Sequence, residues 1–318
     1  MAFSPNSGCL NWKDIKLSLK NWFKFFGLSL VWGTSFFWIK IGLQEVDPIT
    51  LVFFRVFFAT LGLVIFFLIT RKQHPMKFWW LYLFLGFFNV ALPFILITWS
   101  ETHISSGMAS VMNSTQPLAT AIFAAIFIKE ERLTPQRIIG LVVGFGGVLM
   151  LMSDRLNGRL DGQLLGILAM TAAVLSYGGS SVFARLKNKG VSPESQAFGQ
   201  MSFGLIFLIP AMLVFESPFV LPKLPLSYIG FAWLGLLGSF IAGILWYKLL
   251  NDIGPSRVSM TTYLLPLIGI SLGAIVLDEK IGWRLLAGGI LIILGIIIVN
   301  RKKTLAGAHT AAASQEKG

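Results

Sequence analysis

Polar side chains recur at helical spacing inside two long apolar stretches of this sequence. Intervals of four, three and four residues place one set on a single helix face: Ser106, Ser110, Asn113 and Pro117. A second set repeats the arrangement further along the chain: Ser259, Thr262, Tyr263 and Pro266. Because each proline removes a backbone hydrogen bond, Pro117 and Pro266 are predicted to kink their helices and expose carbonyl groups.

Two interpretations of these polar faces stay open. In the first, Asn113, Gln116, Thr262 and Tyr263 line a central cavity and hydrogen-bond a polar solute. In the second, they join helices to one another, as polar groups do in any membrane bundle. Weaker candidates of the same kind lie in two other apolar runs: Trp32, Thr34 and Ser35, and Tyr177, Ser180 and Ser181.

Arg55 stands seven residues past Pro48, roughly 10 Å into an apolar run at 1.5 Å per residue. That depth is too great for an exposed charge, so Arg55 should face protein or water. It could attract a carboxylate, or tie helices together through their carbonyl ends. Glu130 and Glu279 lie at helix ends, where capping or loop packing against nearby basic residues is a simpler role than catalysis. No Asp or Glu is predicted at mid-helix, so the sequence gives no support to proton coupling.

Signals for enzymes and cofactors are missing. The sequence holds no phosphate-binding G-x-x-x-x-G-K-[ST] loop and no G-x-S-x-G nucleophile motif. Its single cysteine, Cys9, and its dispersed histidines, His74, His103 and His309, form no metal-binding cluster. We therefore expect no enzymatic activity, no cofactor and no metal.

The composition requires a lipid environment. Of 318 residues, 55% are hydrophobic and only 13% are charged, too little polar surface for a soluble domain. The net charge of +12 resides in short loops and the polar tails, which predicts membrane orientation and no nucleic-acid partner. Ten runs are long enough to cross a bilayer: residues 24–43, 48–69, 78–100, 104–128, 135–152, 162–185, 196–215, 226–250, 256–277 and 283–300. The predicted fold is an all-α integral membrane protein.

An internal repeat divides these ten helices into two sets of five. A shift of 149 residues places Pro117 on Pro266 and Glu130 on Glu279, and a shift of 145 places Gly33 on Gly178. Five is odd, so the second repeat enters the membrane from the opposite side, an arrangement that supports alternating access. Basic loops predict that both termini are cytoplasmic. The predicted parts are a tail at 1–23, repeats at 24–152 and 162–300, and a tail at 301–318.

The ordered landmarks resemble the EamA family of the drug/metabolite transporter superfamily. They are Trp32-Gly33-Thr34-Ser35, Pro48 to Arg55, Ser106 to Glu130, and Gly140 to Gly147, with a second copy through Pro255 to Glu279 and Gly288 to Asn300. This resemblance implies a ten-helix inverted repeat around a central cavity, in a prokaryotic plasma membrane. It also implies export of amino acids or related small metabolites. A homodimer stays open, and so does the rival role of a non-transporting scaffold or accessory subunit.

Overall fold

In a computed structural model, the described residues are 19–72, 74–128, 134–153, 162–187, 190–218, 220–253 and 259–300. Every regular element in these ranges is helical. The first half, residues 19–153, contains α1 Leu19–Gly42, α2 Pro48–Thr70, a 3-10 turn Met76–Phe78, α3 Trp79–Leu85, the π-helical segment π1 Gly86–Ala91, α4 Leu92–Ser100, α5 Ser106–Asn113, α6 Gln116–Phe127 and α7 Pro135–Met152.

The second half, residues 162–300, has a similar order of elements. It contains α8 Gly162–Lys187, α9 Pro193–Phe215, α10 Pro225–Ala232, the π-helical segment π2 Trp233–Ile241, α11 Ala242–Ile253, a 3-10 helix Ser259–Leu264, α12 Leu265–Val276 and α13 Trp283–Asn300. Each half thus places a π-helical segment between two α-helices. Such segments are rare and often lie at functional sites.

Seven helical stretches within the described residues are long and apolar enough to cross a membrane: Asn21–Gly42, Pro48–Thr70, Met76–Ser100, Pro135–Met152, Gly162–Lys187, Pro193–Phe215 and Pro225–Trp246. The other three predicted spans differ from these. The run 104–128 is divided into α5 and α6, the run 256–277 holds a 3-10 helix before α12, and α13 is short. The chain is a multi-span membrane protein, and the count of ten spans stays a prediction.

Proline marks where several helices begin. It is the first residue of α2, α7, α9 and α10, where its missing N–H needs no partner and its fixed φ suits a helix. Pro117 is the second residue of α6, directly after the break between α5 and α6, and Pro266 is the second residue of α12. The structure therefore places both prolines at the start of a new α-helix.

The two halves of the chain pack against each other through several pairs of helices. Helix α2 packs on α9 and π2, α4 and α6 pack on α8, and α1 and α5 pack on α12. The main core draws on both halves, with buried side chains such as Leu51, Met112, Met170, Phe231 and Ile292. Neither half forms this core by itself.

The tightest contact between the halves is the seam of α7 and α13, the helix pair with most contacts. A Cβ atom built on Gly140 would lie 2.7 Å from the carbonyl oxygen of Gly295. One built on Gly147 would lie 2.6 Å from the carbonyl oxygen of Gly288. Small residues at these positions let the two backbones touch, as in other close-packed membrane helices.

Candidate functional site

Arg55 of α2 is buried between the two halves of the chain. Its Nε donates a hydrogen bond to Ser239 Oγ at 3.0 Å, and its guanidinium carbon lies 3.9 Å from the centre of the Phe94 ring. Ser239 belongs to π2, and its hydroxyl also donates to the Leu234 carbonyl five residues earlier. A ring face stabilises a cation in a medium without water. The Arg55 side chain therefore lies in the protein interior, held by a hydrogen bond and a ring contact. Its depth along the helix predicted that it would face protein or water.

A chain of amide and hydroxyl groups lies around π1. Asn89 Nδ2 donates to Gln200 Oε1 of α9 at 3.1 Å, and Asn89 Oδ1 accepts from Ser180 Oγ of α8 at 2.9 Å. Ser180 is buried, and its hydroxyl also lies 3.1 Å from the Tyr177 carbonyl. Three helical elements thus converge on one amide. Asn89 and Gln200 were not predicted, because one polar residue in an apolar run gives no periodic signal.

Tyr177 of α8 links Arg55 with the Asn89 group. Its ring lies 6.5 Å from the ring of Phe94, which covers Arg55, in an edge-on arrangement, and its carbonyl lies 3.1 Å from the Ser180 hydroxyl. We use the name central polar site for the set that these contacts join: Arg55, Asn89, Tyr177, Ser180, Gln200 and Ser239. It includes three of the sequence-predicted residues, Arg55, Tyr177 and Ser180.

The candidates on α1 contact π2 next to this site. Trp32 Nε1 donates to the Gly238 carbonyl at 3.0 Å, and Trp233 Nε1 donates to Thr34 Oγ1 at 3.1 Å. Ser35 Oγ donates to the Val31 carbonyl of its own helix. Because a π-helical turn leaves carbonyls without their usual partners, an indole N–H can satisfy one of them. Trp32 and Thr34 therefore position π2, whereas the Ser35 bond is local.

The candidates on the proline-containing helices lie elsewhere. Among the described residues, no hydrogen bond joins the Asn113 or Gln116 side chain to the central polar site. Thr262 is buried, and Tyr263 packs against the main core. Asn113 Oδ1 is buried and has no hydrogen-bond partner in the part of the chain that the structure describes, a costly state for an amide oxygen. An acceptor held in this way suits a donor that arrives with a solute.

A lateral cavity of about 410 Å³ lies against the central polar site. Its wall is mainly apolar and includes Ser180 and five phenylalanines, Phe84, Phe88, Phe123, Phe127 and Phe183. The Ser180 hydroxyl is the group that donates to Asn89. The cavity thus places apolar space beside a polar group.

Three carboxylates fasten the halves together at one end of the bundle. This end, here called the loop face, is formed by residues 43–47, 101–105, 216–218, 220–224 and 277–282. Glu279 accepts from the backbone N–H groups of Ser106 at 2.8 Å and Gly107 at 3.2 Å, which begin α5. Glu216 accepts from the N–H groups of Ile49 and Thr50, both at 2.7 Å, at the start of α2.

Glu45 makes the third contact in the opposite sense, from the first half to the second. It accepts from the N–H groups of Lys223 and Leu224, each at 3.1 Å, and from the Ser227 hydroxyl. The Ser227 hydrogen bond lowers the pKa of Glu45, with the backbone N–H groups acting in the same direction. A carboxylate at a helix start satisfies free N–H groups and the positive end of the helix dipole. The expected capping role is confirmed for Glu279; Glu130 lies outside the described residues.

The described residues contain no group of three His, Cys, Asp or Glu side chains that could hold a metal ion. Their polar groups are instead hydroxyl, amide, guanidinium and indole groups in apolar surroundings. Such groups bind a small polar solute through hydrogen bonds and charge.

Comparison with known proteins identifies the family. The model of the EamA-like transporter family matches twice, over residues 22–153 and 164–301. The chain belongs to this family. As an EamA-like protein it is a membrane transporter, and the family comprises transporters of small solutes, which are not enzymes.

Curated relatives extend over most of the EamA-like chain. An uncharacterized transporter of Archaeoglobus fulgidus is 30% identical over 90% of this chain and 100% of its own length. The uncharacterized inner membrane transporter YedA of Escherichia coli K12 is 27% identical over 88% of this chain and 90% of its own. A "Probable amino-acid metabolite efflux pump" of Escherichia coli K12 is 27% identical over 85% of this chain and 91% of its own.

One solved crystal structure has a similar fold. It superposes with a TM-score of 0.63 at 18% sequence identity, over 94% of this chain and 99% of the other chain. The EamA-like chain and this structure therefore share an overall arrangement of helices.

Proposed function

We propose that this EamA-like protein is a secondary transporter that exports amino acids or related small metabolites by alternating access. In this proposal ten spans form two inverted five-helix repeats, at 24–152 and 162–300, in the plasma membrane with both termini in the cytoplasm. The double match of the family model supports the repeat. A relative named as an amino-acid metabolite efflux pump supports the solute class, and one named as an inner membrane transporter supports the location.

The surroundings of Arg55 are the observation that supports a solute with a carboxylate group. The Arg55 side chain is buried, and its one hydrogen bond among the described residues runs from Nε to Ser239. Among the described residues, no carboxylate forms an ion pair with it. A buried guanidinium with unused donors is suited to binding a carboxylate through two parallel hydrogen bonds. We infer that the solute supplies this carboxylate.

The rest of the central polar site suits the remainder of a small metabolite. Asn89 and Gln200 present amide groups, and Tyr177 is close to Arg55. The adjoining cavity offers apolar space for a side chain. Because polar groups inside a membrane bundle are costly, their concentration at one place between the two halves favours a binding role.

Alternating access needs a binding site and also a contact between the halves that can open. The loop face provides such a contact. Glu45, Glu216 and Glu279 each reach from one half of the chain to a helix start in the other. Rocking of one half against the other would break these contacts and expose the central polar site on this side.

Solute release from proteoliposomes tests the proposal. The purified chain is reconstituted with a trapped radiolabelled mixture of the standard amino acids and simple amines, and release is followed over time. We expect saturable release above that of empty liposomes. Arg55→Ala should reduce it at least tenfold for solutes with a carboxylate, because a buried charged hydrogen bond contributes about 1.5–3 kcal/mol.

Lys77→Ala is the matched control, because Lys77 also places a cation over an aromatic ring but is exposed. It should release solute as the unchanged protein does. Equal release by the Arg55→Ala protein and the unchanged protein would remove Arg55 from the site. No release from folded, inserted protein would contradict transport of this solute class.

A further inference from the structure

Glu101, directly after α4 on the loop face, is fully buried, with a side-chain exposure of 0%. Among the residues that the structure describes, neither of its carboxylate oxygens has a hydrogen-bond partner. The other loop-face glutamates, Glu45, Glu216 and Glu279, each accept two or more hydrogen bonds. A buried carboxylate without hydrogen bonds is strongly unfavourable as an anion, and it becomes far less costly when it binds a proton.

The charged groups around Glu101 form no hydrogen bond or ion pair with its carboxylate among the described residues. Lys40 of α1 donates its ammonium hydrogen bond to the backbone carbonyl of Glu101, not to the carboxylate. Arg55 of α2 is bound to Ser239 and covered by Phe94. Both cations act on the Glu101 carboxyl group through space, but neither bonds to it.

A like charge opposes ionisation from the other side. Glu279 acts on Glu101 electrostatically, and its carboxylate accepts hydrogen bonds from the N–H groups of Ser106 and Gly107 at the start of α5. His103, two residues along the same loop, is bonded to Thr102 and the Trp99 carbonyl. Two carboxylates that interact at close range seldom both ionise when one is buried.

The position of Glu101 connects it with movement of the two halves. It lies in the short loop between α4 and α5, and α5 begins at the N–H groups that Glu279 caps from the second half. Helix α8 closes over the same loop, where Gly166 leaves room for His103 and the Ser100 carbonyl. Opening of the loop face would separate these segments and admit water to Glu101.

We propose that Glu101 is a proton-binding residue that couples solute movement to pH. This inference rests on the proposed transport function. The carboxyl group is protonated while the loop face is closed, and it releases the proton to water when the loop face opens. No covalent bond other than the O–H bond changes. By linkage, acidic medium on the loop-face side favours the closed form and alkaline medium favours the open form.

Infrared spectroscopy tests the protonated state without reference to any solute. The carbonyl stretch of a protonated carboxylic acid is separate from the amide bands. At neutral pH we expect this band in the unchanged protein, its loss in Glu101→Gln, and a shifted band in Glu101→Asp. Glu194→Gln, which removes a carboxylate paired with Lys72 at 2.9 Å, should retain the band.

An unchanged protein that lacks the band at neutral pH would overturn the proposal. So would a Glu101→Asp protein with the same band at the same position as the unchanged protein. The Asp variant keeps the test decisive if Glu101→Gln does not fold.

Transport assays test the coupling. Release of the same amino-acid mixture is measured from proteoliposomes over a series of loop-face pH values, with a trapped pH-sensitive dye that reports proton movement. We expect the unchanged protein and Glu194→Gln to show the same pH dependence and solute-linked proton movement. Glu101→Gln should lose both, with at least a tenfold smaller response to pH.

The two sets of measurements separate the possible failures. A carboxylic acid band at Glu101 together with pH-independent release would overturn the coupling and leave the transport function standing. The band together with no release of any solute would contradict the proposed function, while protonation of Glu101 would stand.

Discussion

The α7–α13 seam and the central polar site are both contacts between the two halves, but they are built in opposite ways. At the seam, glycines such as Gly140 and Gly147 bring two regular helices into backbone contact. At the central polar site, irregular π-helical segments carry Asn89 and Ser239, which are held by two hydrogen bonds each. A seam of this kind resists separation, whereas a few polar bonds can exchange partners. We therefore expect the seam to stay rigid and the central polar site to exchange solute.

The largest expected effect comes from breaking the seam. In Gly147→Ala, the new Cβ atom would lie 2.6 Å from a backbone carbonyl oxygen that cannot move alone. We expect a loss of about 1–3 kcal/mol in stability, typical of overpacking, measured as a lower thermal unfolding temperature in detergent. Gly146→Ala is the control, because a Cβ there meets nothing within 4 Å. An unchanged unfolding temperature for Gly147→Ala would show that the seam is not rigid.

The next largest effect is expected for Asn113→Leu, which tests whether the binding region extends from the central polar site to Asn113. In Asn113→Leu, removal of an unpaired buried amide oxygen should leave stability equal or raise it by about 1 kcal/mol. Solute release should nevertheless fall several-fold if Asn113 accepts a hydrogen bond from the solute. Ser110→Ala on the same helix, whose hydroxyl bonds to the Gly107 carbonyl, should release normally. Release by Asn113→Leu equal to that of the unchanged protein would confine the site to the central polar residues.

The smallest effect is expected at the loop face. Because hydrogen bonds lower the pKa of Glu45, its ionised form stabilises the fold at pH values above its unfolded-state pKa. That contribution is lost as pH falls through the lower folded-state pKa. The thermal unfolding temperature of the unchanged protein should therefore fall slightly more in acid than that of the Glu45→Gln protein. Identical acid profiles for the two proteins would contradict the contribution.

Much of this arrangement could be predicted from the sequence because it depends on composition and depth along a helix. The apolar runs predicted helical membrane spans, and seven are long enough in the described residues. The position of Arg55 predicted burial, and that of Glu279 predicted capping. Each of these inferences needs only one element and its distance from a helix end.

The remaining features depend on partners distant in sequence. Asn89 and Gln200 are 111 residues apart, and a lone polar residue in an apolar run does not indicate its partner. The π-helical segments have no proline or other marker that distinguishes them from α-helix. Glu101 resembles an ordinary loop residue, and its burial depends on α8 closing over it where Gly162 and Gly166 leave room. These features required the packed structure.

The caps that the second half provides have a consequence for biosynthesis. Glu216 lies 166 residues beyond Thr50, and Glu279 lies 173 residues beyond Ser106. The starts of α2 and α5 therefore leave the ribosome long before the carboxylates that complete them exist. Until then their N–H groups rely on water or lipid headgroups. The first half becomes fully formed only when the last helices are inserted, so assembly of this protein must finish after translation is nearly complete.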